Sequence, residues 1–196
     1  SPAIEELRAL GRAGLQILMA QYADEIRRHV ANPSTAPDEQ WQRISAALDT
    51  VAQQKNSYIA GLYWHTDLEA AKKASAESGK PILSLRLLGK LTDEFSCANS
   101  RFFRTVLYSN ADVSEYLREH YVLHWQSVRP VPKVTIDYGD GRKLERTLTG
   151  NSIHYIVDSG GRPIDAVPGL YGPSEFRGAL VNAEAMFKSI AGKPER

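Results

Sequence analysis

The chain has 196 residues, with 24 Lys and Arg against 23 Asp and Glu, a net charge of +1 and a single cysteine. That length can bury an ordinary core without cross-links, and one cysteine excludes both an internal disulfide and a pair of metal-binding thiolates. Balanced charge with no block of like charges gives no footprint for nucleic acid or an acidic membrane surface, and no apolar stretch reaches the roughly eighteen residues of a membrane helix.

Ile4, Leu7, Leu15, Leu18, Tyr22, Ile26 and Val30 recur at three-and-four spacing, with Glu5, Glu6, Arg8, Glu25 and Arg27 between them. This pattern predicts one amphipathic helix running to about Val30. Asn32 to Pro37 break it, and Pro37-Asp38-Glu39 has the chemistry of a first helical turn, where acidic side chains meet orphan N–H groups. The second helix takes its stripe from Trp41, Ile44, Leu48 and Val51. Residues 1–60 therefore read as an N-terminal helical hairpin and 61–196 as the main domain. The hairpin either packs on that domain, the reading preferred here, or serves as a dimerisation arm; the spacing leaves the oligomeric state open.

From Tyr63 the pattern alternates helix and strand. Thr66-Asp67-Leu68-Glu69 predicts a capping box, Gly79 a left-handed helix end, and Ile82 to Leu88 a strand inside a sheet. Phe95-Ser96-Cys97-Ala98-Asn99-Ser100 then leads into a helix marked by Phe102, Phe103, Val106 and Leu107, and Asn110 caps a shorter one. Tyr121 to Trp125 is the next strand, and the intervening helix makes the pair a right-handed βαβ unit with parallel strands. Val134 to Tyr138 and Leu144 to Leu148 alternate on either side of Gly139-Asp140-Gly141, a hairpin turn. Ser152 to Val157 and Pro163 to Val167 form a further antiparallel pair, and a closing helix starts near Pro173, giving an α/β class with a mixed sheet.

Cys97 is the candidate nucleophile because it sits at the expected start of a helix. Lowering a thiol pKa from about 8.5 to about 7 raises the thiolate fraction roughly fifteenfold at neutral pH and requires about 2 kcal/mol. A helix N-terminus supplies about 0.3 to 1 kcal/mol, so further donors are needed. Ser100, Arg101 and Arg104 are the candidates, opposed by Asp93 and Glu94. The competing reading makes Cys97 a small apolar filler and Ser100 a cap hydroxyl. His124 and His154 lie on neighbouring strands and read as core histidines rather than zinc ligands, with His154 directed towards the Cys97 end of the sheet. His29, His65 and His120 read as surface or helix-end residues. Gly139-Asp140-Gly141 lacks the following helix a phosphate site requires, so no nucleotide cofactor is indicated.

The order helix, strand, Cys-bearing loop, helix, strand, hairpin, helix resembles the thioredoxin fold over roughly Tyr63 to Ala191. The likeness is carried by the Ala-rich segment Asp67 to Pro81, by Cys97-Ala98-Asn99-Ser100 in the place of Cys-x-x-Cys, by Asp112-Val113 and Tyr121-Val122, and by Ile156-Val157-Asp158 with Gly161. The resemblance implies a thioredoxin-like mixed sheet with Cys97 as nucleophile and Ser100 where the resolving cysteine would stand. It also implies that Asn99, Arg101, Asn151 and Ser152 face the substrate. Gly150-Asn151-Ser152 opens the strand at which the family places a cis-proline, and no proline lies between Lys133 and Arg162. The expected partner is a protein or small-molecule thiol or disulfide, with no metal and no cofactor. Two functions follow: single-thiol redox chemistry resolved by an external thiol, or a non-catalytic binding module using the N-terminal helices or the segment Trp125 to Pro132. The likeness is to bacterial, often exported, proteins, which favours a periplasmic or secreted location over a cytoplasmic one.

Overall fold

A computed structural model describes residues 1–33, 36–148, 150 and 152–191. The stripe expected to form one long helix folds as three: α1 (Pro2–Ala9), α2 (Arg12–Gln21) and α3 (Ala23–Ala31). The break comes at Gly11, whose φ of 65° is readily adopted only by glycine. Close approach then fixes Gly14, since a Cβ there would lie 1.9 Å from the Leu7 carbonyl oxygen. The apolar spacing runs on across the break because both limbs face one core. α4 (Glu39–Ala52) is capped as expected, with Asp38 Oδ1 accepting the Trp41 N–H at 2.7 Å. Leu15, Leu18, Trp41, Ile44, Leu48 and Val51 form the core of this helical region.

After the short α5 (Ser57–Ala60) come β1 (Trp64–His65), α6 (Leu68–Ser78) and β2 (Ile82–Leu88). Asp67, not Thr66, caps α6, accepting the Ala70 N–H at 2.7 Å. α7 (Ala98–Phe102) continues as a π-helical turn over Phe103–Leu107, followed by α8 (Ala111–His120) and β3 (Val122–Arg129). The exposed hairpin β4 (Lys133–Asp137) and β5 (Lys143–Thr147) forms a sheet of its own. β6 (Ile153–Val157), β7 (Pro163–Pro168) and α9 (Pro173–Ala191) complete the chain.

The main sheet runs β1-β3-β2-β6-β7, with β1, β3 and β2 parallel and the β2–β6 and β6–β7 pairs antiparallel. β1 escapes sequence reading because two residues carry no alternation. Leu83, Leu85 and Leu87 point to one face, where Phe103, Leu107, Tyr108, Phe176 and Leu180 bury them; each such leucine contributes roughly 1.5 to 3 kcal/mol. The other face packs Ile82, Val122 and Val157 under Ala71 of α6. Beyond that patch the sheet is open, with Arg86 half-buried and Val128 and Tyr155 exposed.

The helical region docks on the sheet through polar side chains as well as apolar ones. Trp125 Nε1 donates to the Gln53 carbonyl at 2.8 Å and Trp64 Nε1 to Gln54 Oε1 at 2.7 Å. Arg8 donates to the carbonyls of Val51 at 2.8 Å and Trp64 at 2.5 Å, its guanidinium lying over the Tyr63 ring. The chain is thus an α/β protein with a mixed sheet flanked by helices. Among the described residues no helix is long and apolar enough to cross a membrane.

Candidate thiol site

The end of β2 delivers the chain into a loop, 89–97, that is held from two sides. Arg104, 5% exposed, reaches back so that Nη2 donates to the carbonyls of Asp93 and Glu94, each at 3.3 Å, and to Ser96 Oγ at 3.4 Å. From β5, Thr147 Oγ1 donates to the Ser96 carbonyl at 2.7 Å and accepts from Arg101 Nη1 at 3.0 Å. Arg101 and Arg104 therefore fasten the loop and the hairpin. The expectation that their guanidinium groups support the sulfur is corrected: both are spent on other oxygens.

Cys97 caps α7 with its sulfur. Its extended backbone, φ −60° and ψ 158°, aims Sγ at the first turn, where it accepts the Ser100 N–H at 3.4 Å. Ser100 Oγ lies 3.4 Å from the sulfur and Ser152 Oγ, entering β6, 3.9 Å. Burial pushes the thiol up, but the Ser100 hydroxyl and N–H, the Leu88 N–H and the Ser152 hydroxyl outweigh it and leave the pKa below the ordinary thiol value. The Ser100 hydroxyl has one hydrogen, which points to the Cys97 carbonyl at 2.9 Å. When the sulfur ionises, that hydrogen can turn to it, since the carbonyl keeps the Arg101 N–H at 3.1 Å.

A nucleophile at a helix start is expected to meet water, and Cys97 does not: it is 0% exposed. Its cover includes hydroxyls and backbone N–H groups rather than aliphatic carbons alone, so it is neither a surface nucleophile nor a simple filler. Cys97, Ser100 and Ser152 come together as expected. Asn99 is 6% exposed beside Ser152, and its Oδ1 has no hydrogen-bond partner among the described residues. Asn151 lies outside the described residues. Gly150 is needed here for room, because a Cβ would sit 2.2 Å from Leu88 Cδ1, against the strand end that also serves the sulfur.

The histidines stand apart from the thiol. His154 is turned into the core between Phe103 and Phe176, with ring centroids at 4.7 and 4.9 Å, and its Nε2 lies 2.6 Å from the Tyr108 hydroxyl. Burial lowers its pKa to about 3. His124 pairs through Nδ1 with Ser84 Oγ at 2.8 Å, and burial, then Arg86 and His65, lower its pKa to about 4. Both are neutral at physiological pH. Among the described residues no group of three or more His, Cys, Asp or Glu side chains is placed to hold a metal.

Sequence reasoning missed the Leu88 N–H and the inward turn of Arg104. The first belongs to a strand 9 residues upstream of the sulfur and carries no side-chain signature. For the second, the run Phe102-Phe103-Arg104-Thr105-Val106 set one charge among apolar residues, the available sign of a buried arginine. Fold and site together define an α/β protein with a single thiol caged by hydroxyls and backbone N–H groups at a helix start. No protein-family model matches this sequence, and a comparison with curated proteins finds no match.

Proposed function

We propose that the chain is a thioredoxin-like protein working through one thiol, Cys97, with Ser100 in place of a resolving cysteine. The observation that carries this reading is the sulfur at the helix cap, receiving the Ser100 N–H at 3.4 Å with two hydroxyls beside it. Such donors stabilise the thiolate, the nucleophilic form. Further support comes from the element order, in which α6, β2, the Cys97 loop, α7, β3, the β6–β7 pair and α9 follow the sequence of the resemblance. The Cys97 thiolate attacks one sulfur of a disulfide, forming a mixed disulfide and expelling the other sulfur as a thiolate. An external thiolate then attacks the mixed disulfide, forms a new disulfide and returns Cys97 as thiolate. With a peroxide, the thiolate takes one oxygen as the O–O bond breaks, giving a sulfenic acid and hydroxide, and an external thiol condenses with it to a mixed disulfide and water.

A second reading, a binding or assembly module without redox work, is favoured by the complete burial of the sulfur. Iodoacetamide labelling of the native protein separates the two. Redox function requires labelling of Cys97 with a pH midpoint below about 7.5. A thiol that stays silent until denaturant is added removes the redox reading and leaves the binding module, for which Cys97→Ser retains activity.

A further inference from the structure

Beside the caged thiol, on the half of the sheet that α6 leaves uncovered, lies a pocket of about 590 Å³ lined by Arg86, Asn99, Val128, Ser152, Ile153 and Tyr155 among others. Its size falls in the range of small-molecule sites. Two features mark it as more than an open sheet face. Arg86, in the middle of β2 opposite Gln126 and Ile153, is a half-buried cation with no carboxylate paired to it among the described residues. The Asn99 amide, 6% exposed, makes no hydrogen bond among the described residues, and its Oδ1 is shut off from solvent. An amide that is this enclosed and makes no bond within the protein favours a ligand that supplies the missing partner.

We infer that this pocket binds a small organic carboxylate that also carries an amide. The carboxylate meets the Arg86 guanidinium, whose planar fork suits two oxygens at once. Asn99 offers its Nδ2, which is not shut off from the pocket as Oδ1 is, to donate to the ligand's amide carbonyl. Val128, Ile153 and the Tyr155 ring give the ligand an apolar wall, with Val128 56% and Tyr155 36% exposed. A nucleic acid or acidic surface would need a wider field of cations, and the pocket lining contains one arginine and no lysine. This inference stands independently of the redox reading, because neither Arg86 nor Asn99 bonds to the sulfur.

The test titrates N-acetyl-leucine and its neutral counterpart, N-acetyl-leucinamide, into the full chain followed by ¹H–¹⁵N NMR. The expected result is saturable shifts of the Asn99 side-chain amide and of the Ser152 and Ile153 backbone N–H groups by the acid, with binding at least about tenfold weaker for the neutral compound. Arg86→Gln removes one charge-assisted contact and weakens the acid by about tenfold or more, while Arg86→Lys keeps part of the affinity. Arg86 has no paired carboxylate among the described residues, so Arg86→Gln keeps the fold, read as an unchanged spectrum away from the pocket and from His124, which Arg86 neighbours. The inference is overturned if the acid gives no binding tighter than about 1 mM, if acid and amide bind alike, or if Arg86→Gln binds the acid as the parent does.

Discussion

Ser100 holds two roles with one hydrogen. Its hydroxyl donates to the Cys97 carbonyl at 2.9 Å and lies 3.4 Å from the sulfur, to which the hydrogen turns when the thiol ionises. Hydrogen bonds to charged groups are worth about 1.5 to 3 kcal/mol, less the bond given up to the carbonyl. Ser100→Ala therefore raises the Cys97 pKa by about one unit, or about 1.4 kcal/mol. The pH midpoint of alkylation in the variant reads this directly, and a midpoint equal to that of the parent refutes the turning hydroxyl. Cys97 and Ser100 were legible in the sequence because a cap and the residue three positions on are local partners. The closed state of the sulfur was not, because the cover comes from Leu88 and Ser152, 9 residues before and 55 after it in the chain. Arg101 and Arg104 were misread for a related reason: helical spacing fixes which face a long side chain leaves from, and not which oxygen it reaches.

At the scale of elements, local chemistry predicted the parts that depend on neighbours in sequence. The β4–β5 hairpin, the Asn110 cap and the parallel β2–β3 pair all follow from alternation, capping residues or connection length. The N-terminal helix failed as a single element because periodicity reports which residues face a core, and a chain that folds back can keep facing it. Gly14 carries the consequence. Gly14→Ala drives a methyl to within 1.9 Å of the Leu7 carbonyl, a backbone atom that cannot swing aside, so α1 must move off α2. Alanine is the better helix former by about 1 kcal/mol, yet overpacking costs of about 1 to 3 kcal/mol or more oppose it. Because Arg8 of α1 bonds to Val51 and Trp64, moving α1 also loosens the hold on β1. Urea denaturation of Gly14→Ala should show a net loss of at least about 1 kcal/mol. A variant as stable as the parent would show that the two helices can part without cost.

The acid side of the molecule's stability is set chiefly by two histidines that fold neutral on opposite faces of the sheet, with His65, also lowered by burial and then by Arg8, adding in the same direction. His154 is held near pKa 3 by burial, and His124 near 4 by burial with Arg86 and His65 beside it, against an ordinary 6.5. Depressed histidines bind protons in the unfolded chain first, so stability is full above about pH 6.5 and falls as the pH drops towards each folded value. By pH 5 each histidine has removed about 2 kcal/mol relative to pH 7. Glu184, with its pKa lowered to about 2 by the Lys188, Tyr116 and His120 contacts against the opposing pull of burial, works in the same direction only below its unfolded value of 4.5. Between pH 7 and 5 the slope therefore belongs to the histidines. Urea midpoints at pH 7, 6 and 5 should fall steadily, and His154→Gln, which keeps a hydrogen-bonding group facing Tyr108, should remove the His154 share, about 2 kcal/mol of the loss by pH 5. Stability that stays level from pH 7 to pH 5 would mean that the two rings take up protons without unfolding, against their enclosure at 1% exposure each.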